Sequence, residues 1–177
     1  MKPLKNILTN GVVILGLSFG VSVTALSASS VLSNEEIDAA IKEMNKKQHR
    51  SAEQGSLEAQ YNFAEEYYNG LGRSKDYHEA FKRFQEAANQ GYAPAQYALG
   101  LMYRKGQGVR QNDLKAVMWY QQAASQGNIE AQNNLGTMYY YGHGVGKSQA
   151  KAKEWYGIAC DNGSQKGCDN YRISNQK

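Results

Sequence analysis

The sequence predicts an all-α protein, a solenoid in which three helix–turn–helix repeats follow one another. Three observations predict this fold. An Ala-Gln pair recurs at a constant offset of 36 residues, at Ala59, Ala95 and Ala131. A Gly-x-Gly pair recurs at the same offset, beginning at Gly70, Gly106 and Gly142. A closing glycine does so as well, at Gly91, Gly127 and Gly163. A dozen columns keep this register without a gap, which indicates tandem repeats.

The first 28 residues have the composition of a secretory signal peptide. Lys2 and Lys5 precede an apolar stretch over residues 11–26, and small residues follow it. This stretch is short for a bilayer span, which needs about 20 residues, although an uncleaved membrane anchor remains the alternative. We expect cleavage near residue 28, which leaves one domain close to neutral in charge. A cleaved signal predicts a periplasmic or secreted protein.

Residues 29–58 are predicted to form a capping helix ahead of the repeats. Ser33 and Glu36 have the spacing of a capping box, in which each side chain bonds the backbone N–H of the other residue. A polar helix is expected to follow through about Gln54. Solenoids need such a terminal element with a polar outer face.

Residues 59–166 contain the three repeats, 59–94, 95–130 and 131–166, and each predicts two helices. In the first helix, small and aromatic residues recur at helical spacing. The Gly-x-Gly pair ends that helix, because glycine tolerates the left-handed backbone after a helix C-terminus. The second helix begins at a good N-cap in every repeat, at Asp76, Asn112 and Ser148. One repeat cannot bury its own apolar face, so the repeats must stack.

The chain ends in a truncated fourth repeat. Tyr171 falls in the column of Leu135, so residues 167–177 are predicted to supply the C-terminal cap. Cys160 and Cys168 are the only cysteines of the chain. In an oxidising compartment an intrachain disulfide between them is the default.

The repeat columns resemble the Sel1-like repeat, a relative of the tetratricopeptide repeat. The pattern A-x-Y-x-L-G-x-M-Y-x-x-G-x-G-V, then K-A-x-x-W-Y-x-x-A-A-x-Q-G, is matched almost throughout by repeat two. Repeat one departs from it at Ala64, Arg73 and Arg83, and repeat three at Cys160. The C-x7-C spacing is similar to that of secreted, cysteine-rich Sel1-like proteins of bacteria. The resemblance implies a right-handed α/α superhelix that contacts other proteins through its concave face.

By analogy with tetratricopeptide geometry, certain side chains of the first helices should face that concave groove. Tyrosine and arginine, which recur among them, are enriched at binding hot spots. The candidate partner-binding residues are Tyr61, Glu65, Tyr68, Asn69, Tyr97, Leu101, Arg104, Lys105, Asn133, Thr137, Tyr140 and Tyr141. A tyrosine at these positions can instead pack on the neighbouring repeat, an alternative that stays open. The tyrosines of the repeat columns are expected in the core: Tyr67, Tyr103, Tyr120, Tyr139 and Tyr156.

The sequence argues against nucleic-acid, metal and catalytic roles. Its basic residues are interspersed with acidic ones, so no basic patch marks nucleic acid or an anionic membrane surface. The histidines lack the spacing of zinc ligands, and His143 is expected to be a solvated loop side chain. Ser148 and Lys151 have the S-x-x-K spacing of penicillin-recognising enzymes. Ser148 occupies the N-cap column, however, and the companion S-D-N and K-T-G motifs are missing.

The sequence therefore predicts an exported, monomeric binding protein without a cofactor, which is not an enzyme and takes a protein or peptide partner on its concave face. One alternative is an immunity or antagonist partner of a toxin or effector. A β-lactam or peptidoglycan hydrolase is less favoured.

Overall fold

The computed structural model describes residues 33–53 and 55–175, and over these ranges the protein is all-α. The helices of the described residues are α1 (Asn34–Glu53), α2 (Leu57–Asn69), α3 (Tyr77–Asn89), α4 (Ala93–Lys105), α5 (Asp113–Ser125), α6 (Ile129–Tyr141), α7 (Gln149–Asp161) and α8 (Gln165–Ser174). We call α2, α4, α6 and α8 the A helices, and α3, α5 and α7 the B helices. The predicted all-α solenoid is confirmed.

Helix α1 begins with the predicted capping box. The backbone N–H of Glu36 donates to Ser33 Oγ at 3.2 Å, and the N–H of Ser33 donates to Glu36 Oε2 at 2.8 Å. These hydrogen bonds hold the pKa of the Glu36 carboxyl below its ordinary value. Ile41 and Met44 are exposed on this helix. The role of residues 29–58 as a terminal cap stays a prediction.

The caps of the B helices are those that the sequence predicts. The side chains of Asp76, Asn112 and Ser148 each accept a hydrogen bond from a backbone N–H in the first turn of the helix that follows. The A helices begin two residues before the repeat boundaries drawn at 59, 95 and 131. Ser56 and Asn128 cap α2 and α6, and α4 starts after Tyr92 with a proline in its first turn.

The core is a continuous set of small residues and rings between A and B helices. Alanines at Ala80, Ala116 and Ala152 are fully buried, as are Leu99 and Leu135 from the A helices. Tyr103 and Tyr139 are buried as expected, and the Tyr103 ring meets Phe81 of repeat one edge-on at 5.3 Å. Tyr67 is only half-buried, contrary to expectation. The ring of Tyr67 contacts two residues of its own repeat, the Phe63 ring at 5.3 Å and the Arg73 guanidinium at 4.3 Å, and these contacts leave part of the ring exposed.

The two glycines of each Gly-x-Gly pair have different roles. The first, at Gly70, Gly106 and Gly142, has positive φ and ends an A helix. The second also has positive φ, and in repeats two and three it lies against the preceding repeat. A Cβ at Gly108 would overlap the Tyr77 carbonyl, and one at Gly144 would overlap the carbonyl of Asp113. The loop therefore packs on the start of the preceding B helix, where only a glycine fits.

Buried glutamines link consecutive repeats. Gln132 Nε2 donates to the Ala124 carbonyl at 3.2 Å, and its Oε1 accepts from Asn162 Nδ2 at 2.9 Å. Gln96 makes the same two contacts one repeat earlier, with Ala88 and Gln126. Both glutamines are buried, and each satisfies a carbonyl in the last turn of the preceding B helix.

An ion pair explains why repeat one departs from the pattern at Arg73. Arg73 donates to Glu66 at 2.6 Å, and its guanidinium stacks over the Tyr67 ring at 4.3 Å. Repeats two and three have Met102 and Val109, or their counterparts, in these two columns. A charged pair in place of a Met–Val contact makes this end of the solenoid more polar, as terminal repeats require.

Candidate functional site

The candidate partner-binding residues lie along one side of α2, α4 and α6, which we call the A face. Contacts join this face from repeat to repeat. Tyr68 Oη donates to Gln107 Oε1 at 2.8 Å, between repeats one and two. Asn170 Nδ2 donates to Asn133 Oδ1 at 3.0 Å, between α8 and α6. These hydrogen bonds join repeat one to repeat two, and α6 to α8, along the A face.

The exposure of the candidates differs widely. Asn69, Arg104, Lys105 and Tyr141 are exposed, and Tyr141 retains 62% of its accessible area. Most of the others are half-buried. Asn133 is only 4% exposed, because α8 covers it and Asn170 bonds to it. It is the candidate with the least surface to offer a partner.

The A-face tyrosines of repeats one and two pack on neighbouring rings, in agreement with the alternative that such a tyrosine packs within the solenoid. Tyr61 contacts the rings of Phe84 at 5.3 Å and Tyr92 at 5.7 Å, and its hydroxyl donates to Glu65 at 3.0 Å. Burial, followed by the nearby Glu65 charge, raises the pKa of the Tyr61 hydroxyl. Tyr68 meets the Tyr77 ring at 5.2 Å. These rings are held in place, so a partner would meet a rigid aromatic surface.

Two B-helix tyrosines, Tyr120 and Tyr156, reach the A face, although the repeat pattern predicts only that they lie in the core. Their rings lie in the core, but they cross the A helices at glycines: a Cβ at Gly100 would overlap Tyr120, and one at Gly136 would overlap Tyr156. The Tyr156 hydroxyl then donates to Thr137 Oγ1 at 3.2 Å. The sequence contains a pattern that could have predicted this contact. Glycine accompanies tyrosine in repeats two and three, whereas repeat one combines alanine with phenylalanine, at Ala64 and Phe84.

The close approach of the Tyr120 ring to Gly100 predicts that a side chain at position 100 destabilises the fold. Gly100→Ala gains helix propensity of at most about 1 kcal/mol but drives a methyl group into a buried ring, so we expect a net loss of roughly 1–3 kcal/mol in unfolding free energy. The matched control is Gly157→Ala, also within a helix, where the new Cβ would lie 3.3 Å from the partly buried Tyr171 ring. We expect that variant to stay within about 0.5 kcal/mol of the parent. Urea denaturation measures both, and equal losses would contradict the pairing.

Four polar side chains meet at the junction of repeats two and three. The Tyr120 hydroxyl faces Arg104 and Asn134, and Asn134 also approaches the hydroxyl of Tyr97. The rings of Tyr97 and Tyr120 lie 6.0 Å apart. Burial raises the pKa of both tyrosines. We call these four residues the donor cluster.

An aromatic group lies at the repeat-three end of the A face. The rings of Tyr140 and Tyr141 meet edge-on at 4.9 Å, and the imidazole of His143 lies 5.7 Å from Tyr141. His143 is exposed as expected, yet its Nδ1 lies 3.8 Å from the Asp113 carboxylate of repeat two.

The S-x-x-K motif of Ser148 and Lys151 forms a helix cap. Ser148 Oγ accepts from the backbone N–H of Lys151 at 3.3 Å, and Lys151 Nζ lies over the Tyr139 ring, 5.2 Å from its centre. Within residues 33–53 and 55–175, no group of three or more His, Cys, Asp or Glu side chains could hold a metal ion.

Cys160 and Cys168 form a disulfide that joins α7 to α8, which confirms the predicted pairing.

A model of the Sel1 repeat family matches three consecutive segments, residues 57–92, 93–128 and 129–164. The chain belongs to the Sel1 repeat family. The matched segments begin where the A helices begin. Comparison with curated proteins gave no match.

Solved structures show the same fold. A protective antigen of uropathogenic Escherichia coli strains, with an SLR fold, is 40% identical over 70% of this Sel1 repeat chain, with a TM-score of 0.68. A Sel1 repeat protein from Oxalobacter formigenes is 29% identical over 77% of the chain, also with a TM-score of 0.68. The present chain covers 26% and 59% of those two proteins.

A third structure supports the fold alone. Cysteine-rich protein B of Helicobacter pylori is 23% identical over 71% of the chain, which covers 95% of that protein, with a TM-score of 0.57.

Proposed function

We propose that this Sel1 repeat protein is an exported binding module that holds a protein or peptide partner against its A face, the concave side of the solenoid. Sel1 repeat proteins are commonly protein-interaction modules, and their scaffold is generally non-catalytic. The observation that carries the proposal is the composition of the A face. Rings fixed by the core alternate there with exposed Arg104, Lys105 and Tyr141. Rigid aromatic and basic side chains are typical of binding hot spots.

Export is supported by the disulfide between Cys160 and Cys168, because such bonds persist in oxidising compartments. A related structure, 40% identical, is described as a protective antigen. The proposed signal peptide, residues 1–28, lies outside the described residues. Among those described, no helix is long and apolar enough to cross a bilayer.

The A face can be tested with exposed residues whose truncation leaves the core intact. The first step is capture of a partner by the mature chain isolated from the cell envelope, whose mass also checks removal of residues 1–28. Tyr141→Ala and Lys105→Ala should each weaken binding of that partner by roughly 1–3 kcal/mol. Their unfolding free energies should move by no more than about 0.5 kcal/mol, since both side chains are exposed. Titration calorimetry and urea denaturation measure the two quantities.

Two controls make the test specific. Met118→Ala truncates a B-helix side chain that is 52% exposed, so it should leave binding unchanged. Tyr103→Ala removes a buried ring and should cost roughly 3–5 kcal/mol of stability. If Met118→Ala weakens binding and Tyr141→Ala does not, the partner binds the B helices and the proposal is wrong.

A further inference from the structure

A buried hydroxyl without a partner lies within the donor cluster. Tyr120 is 0% exposed, and among the described residues its hydroxyl has no hydrogen bond of good geometry. The side chains of Arg104 and Asn134 lie near that hydroxyl. A buried hydroxyl without a hydrogen-bond partner is unfavourable.

The charge around the cluster favours an anion. Arg104 contributes a permanent positive charge, because a guanidinium does not lose its proton in proteins. The acids within electrostatic reach are few: Glu130 interacts with Tyr97 from the start of α6, and it is exposed. Glu65 accepts the hydroxyl of Tyr61 in repeat one. An acceptor carrying negative charge would satisfy the Tyr120 hydroxyl, the Asn134 amide and Arg104 together.

We propose that the donor cluster binds a carboxylate, namely the side chain of an internal Asp or Glu in an extended segment of the partner. This inference rests on the proposed function of the A face and names the chemistry of its partner. A carboxylate has two oxygens and matches the fork of a guanidinium, with further lone pairs for a hydroxyl and an amide. Binding requires Arg104 to swing aside from the hydroxyl, which an exposed side chain does readily.

The position of the donor cluster favours a side-chain carboxylate of the partner over the carboxylate at its chain end. The A face continues from it in both directions. Towards repeat one it reaches Tyr68 and Gln107, and towards repeat three it reaches Thr137 and Tyr156. A segment that lies along the face therefore passes over the cluster, and what it presents there is a side chain.

Peptides with blocked ends test the carboxylate directly and need no knowledge of the natural partner. The probe is acetyl-Ala-Leu-Glu-Leu-Ala-amide, and its glutamine analogue is the reference. We expect the glutamate peptide to shift the NMR signals of the Asn134 side-chain amide and the Arg104 Nε–H saturably below about 10 mM. We expect the glutamine peptide to bind about tenfold more weakly, since hydrogen bonds to a charged group are the stronger ones.

Matched variants identify the donors. Arg104→Gln and Tyr120→Phe should each abolish most of the tenfold preference for glutamate. Tyr120→Phe should keep its urea midpoint, because it removes a hydroxyl that lacks an acceptor. Arg110→Gln makes the same chemical change in the loop after α4 and should keep the preference.

Three results would overturn the inference. The first is equal affinity for the glutamate and glutamine peptides. The second is a preference for glutamate that survives Arg104→Gln. The third is binding of acetyl-Ala-Leu-Gln-Leu-Ala, with a free carboxyl terminus, that is tighter than binding of the blocked glutamate peptide. The last would assign the carboxylate to a chain end. If Tyr141→Ala weakens binding of the captured partner while Arg104→Gln does not, the carboxylate inference fails and the proposed A-face function stands. If no A-face variant affects the partner, the proposed function fails, whatever the peptides show.

Discussion

Gly108→Ala should lower the unfolding free energy by roughly 2–5 kcal/mol, a large part of the stability of a domain of this size. Two costs add up. The first is the left-handed backbone, since Gly108 has a φ of 67° and alanine there costs about 1–2 kcal/mol. The second is the overlap of the new Cβ with the carbonyl of Tyr77 in the preceding repeat. Backbone on both sides cannot yield easily, so overpacking adds about 1–3 kcal/mol. Urea denaturation followed by circular dichroism measures the total.

Gly127→Ala separates the two costs. Gly127 also has positive φ, at 85°, but nothing lies within 4 Å of the position that a Cβ would take there. This variant should therefore lose only the backbone term of about 1–2 kcal/mol. Equal losses in the two variants would show that the contact between the loop and the preceding repeat contributes nothing.

Replacing both cysteines should produce the second large effect. The disulfide closes a short loop, with a separation of 8 residues between Cys160 and Cys168. By the chain-entropy model, losing it costs about 2–3 kcal/mol. Because the bond joins α7 to α8, we expect the double Cys→Ala variant to exchange the amide hydrogens of α8 faster, while those of α4 and α5 change little.

Reductant provides the control for that variant. Adding dithiothreitol to the parent protein should reproduce the loss, and adding it to the double variant should change nothing further. Uniform acceleration of exchange across the helices would contradict a local role, and it would mean that α8 is essential to the whole solenoid. Undocking of α8 should also expose Asn133, which Asn170 now covers.

The local structure of this protein could be predicted from sequence because it depends on neighbours a few residues away. Asp76, Asn112 and Ser148 cap their helices through backbone groups two or three positions on, so a sequence window of one turn holds the cause. The pairing of Cys160 with Cys168 needed only the count of cysteines and an oxidising compartment.

The candidate site was predicted less completely, because similar spacing along an A helix leads to different environments. Tyr141 and Asn133 were both assigned to the binding face, yet one is exposed and the other is covered by α8. Tyr120 was assigned to the core, which is correct for its ring and incomplete for its hydroxyl. In each case the deciding contact comes from another helix.

The sequence by itself determined the period of the repeats, the type of their helices, the residues that cap the B helices, and the disulfide. These properties follow from capping, glycine conformation and hydrophobic spacing, which act within a repeat. Only the tertiary structure decided which side chains remain free and which polar groups lack a partner. Contacts such as Tyr68 with Gln107 and Asn170 with Asn133 join residues 39 and 37 positions apart. A partner at that distance depends on how the repeats stack, because stacking, and not spacing along the helix, sets which atoms come within hydrogen-bond distance.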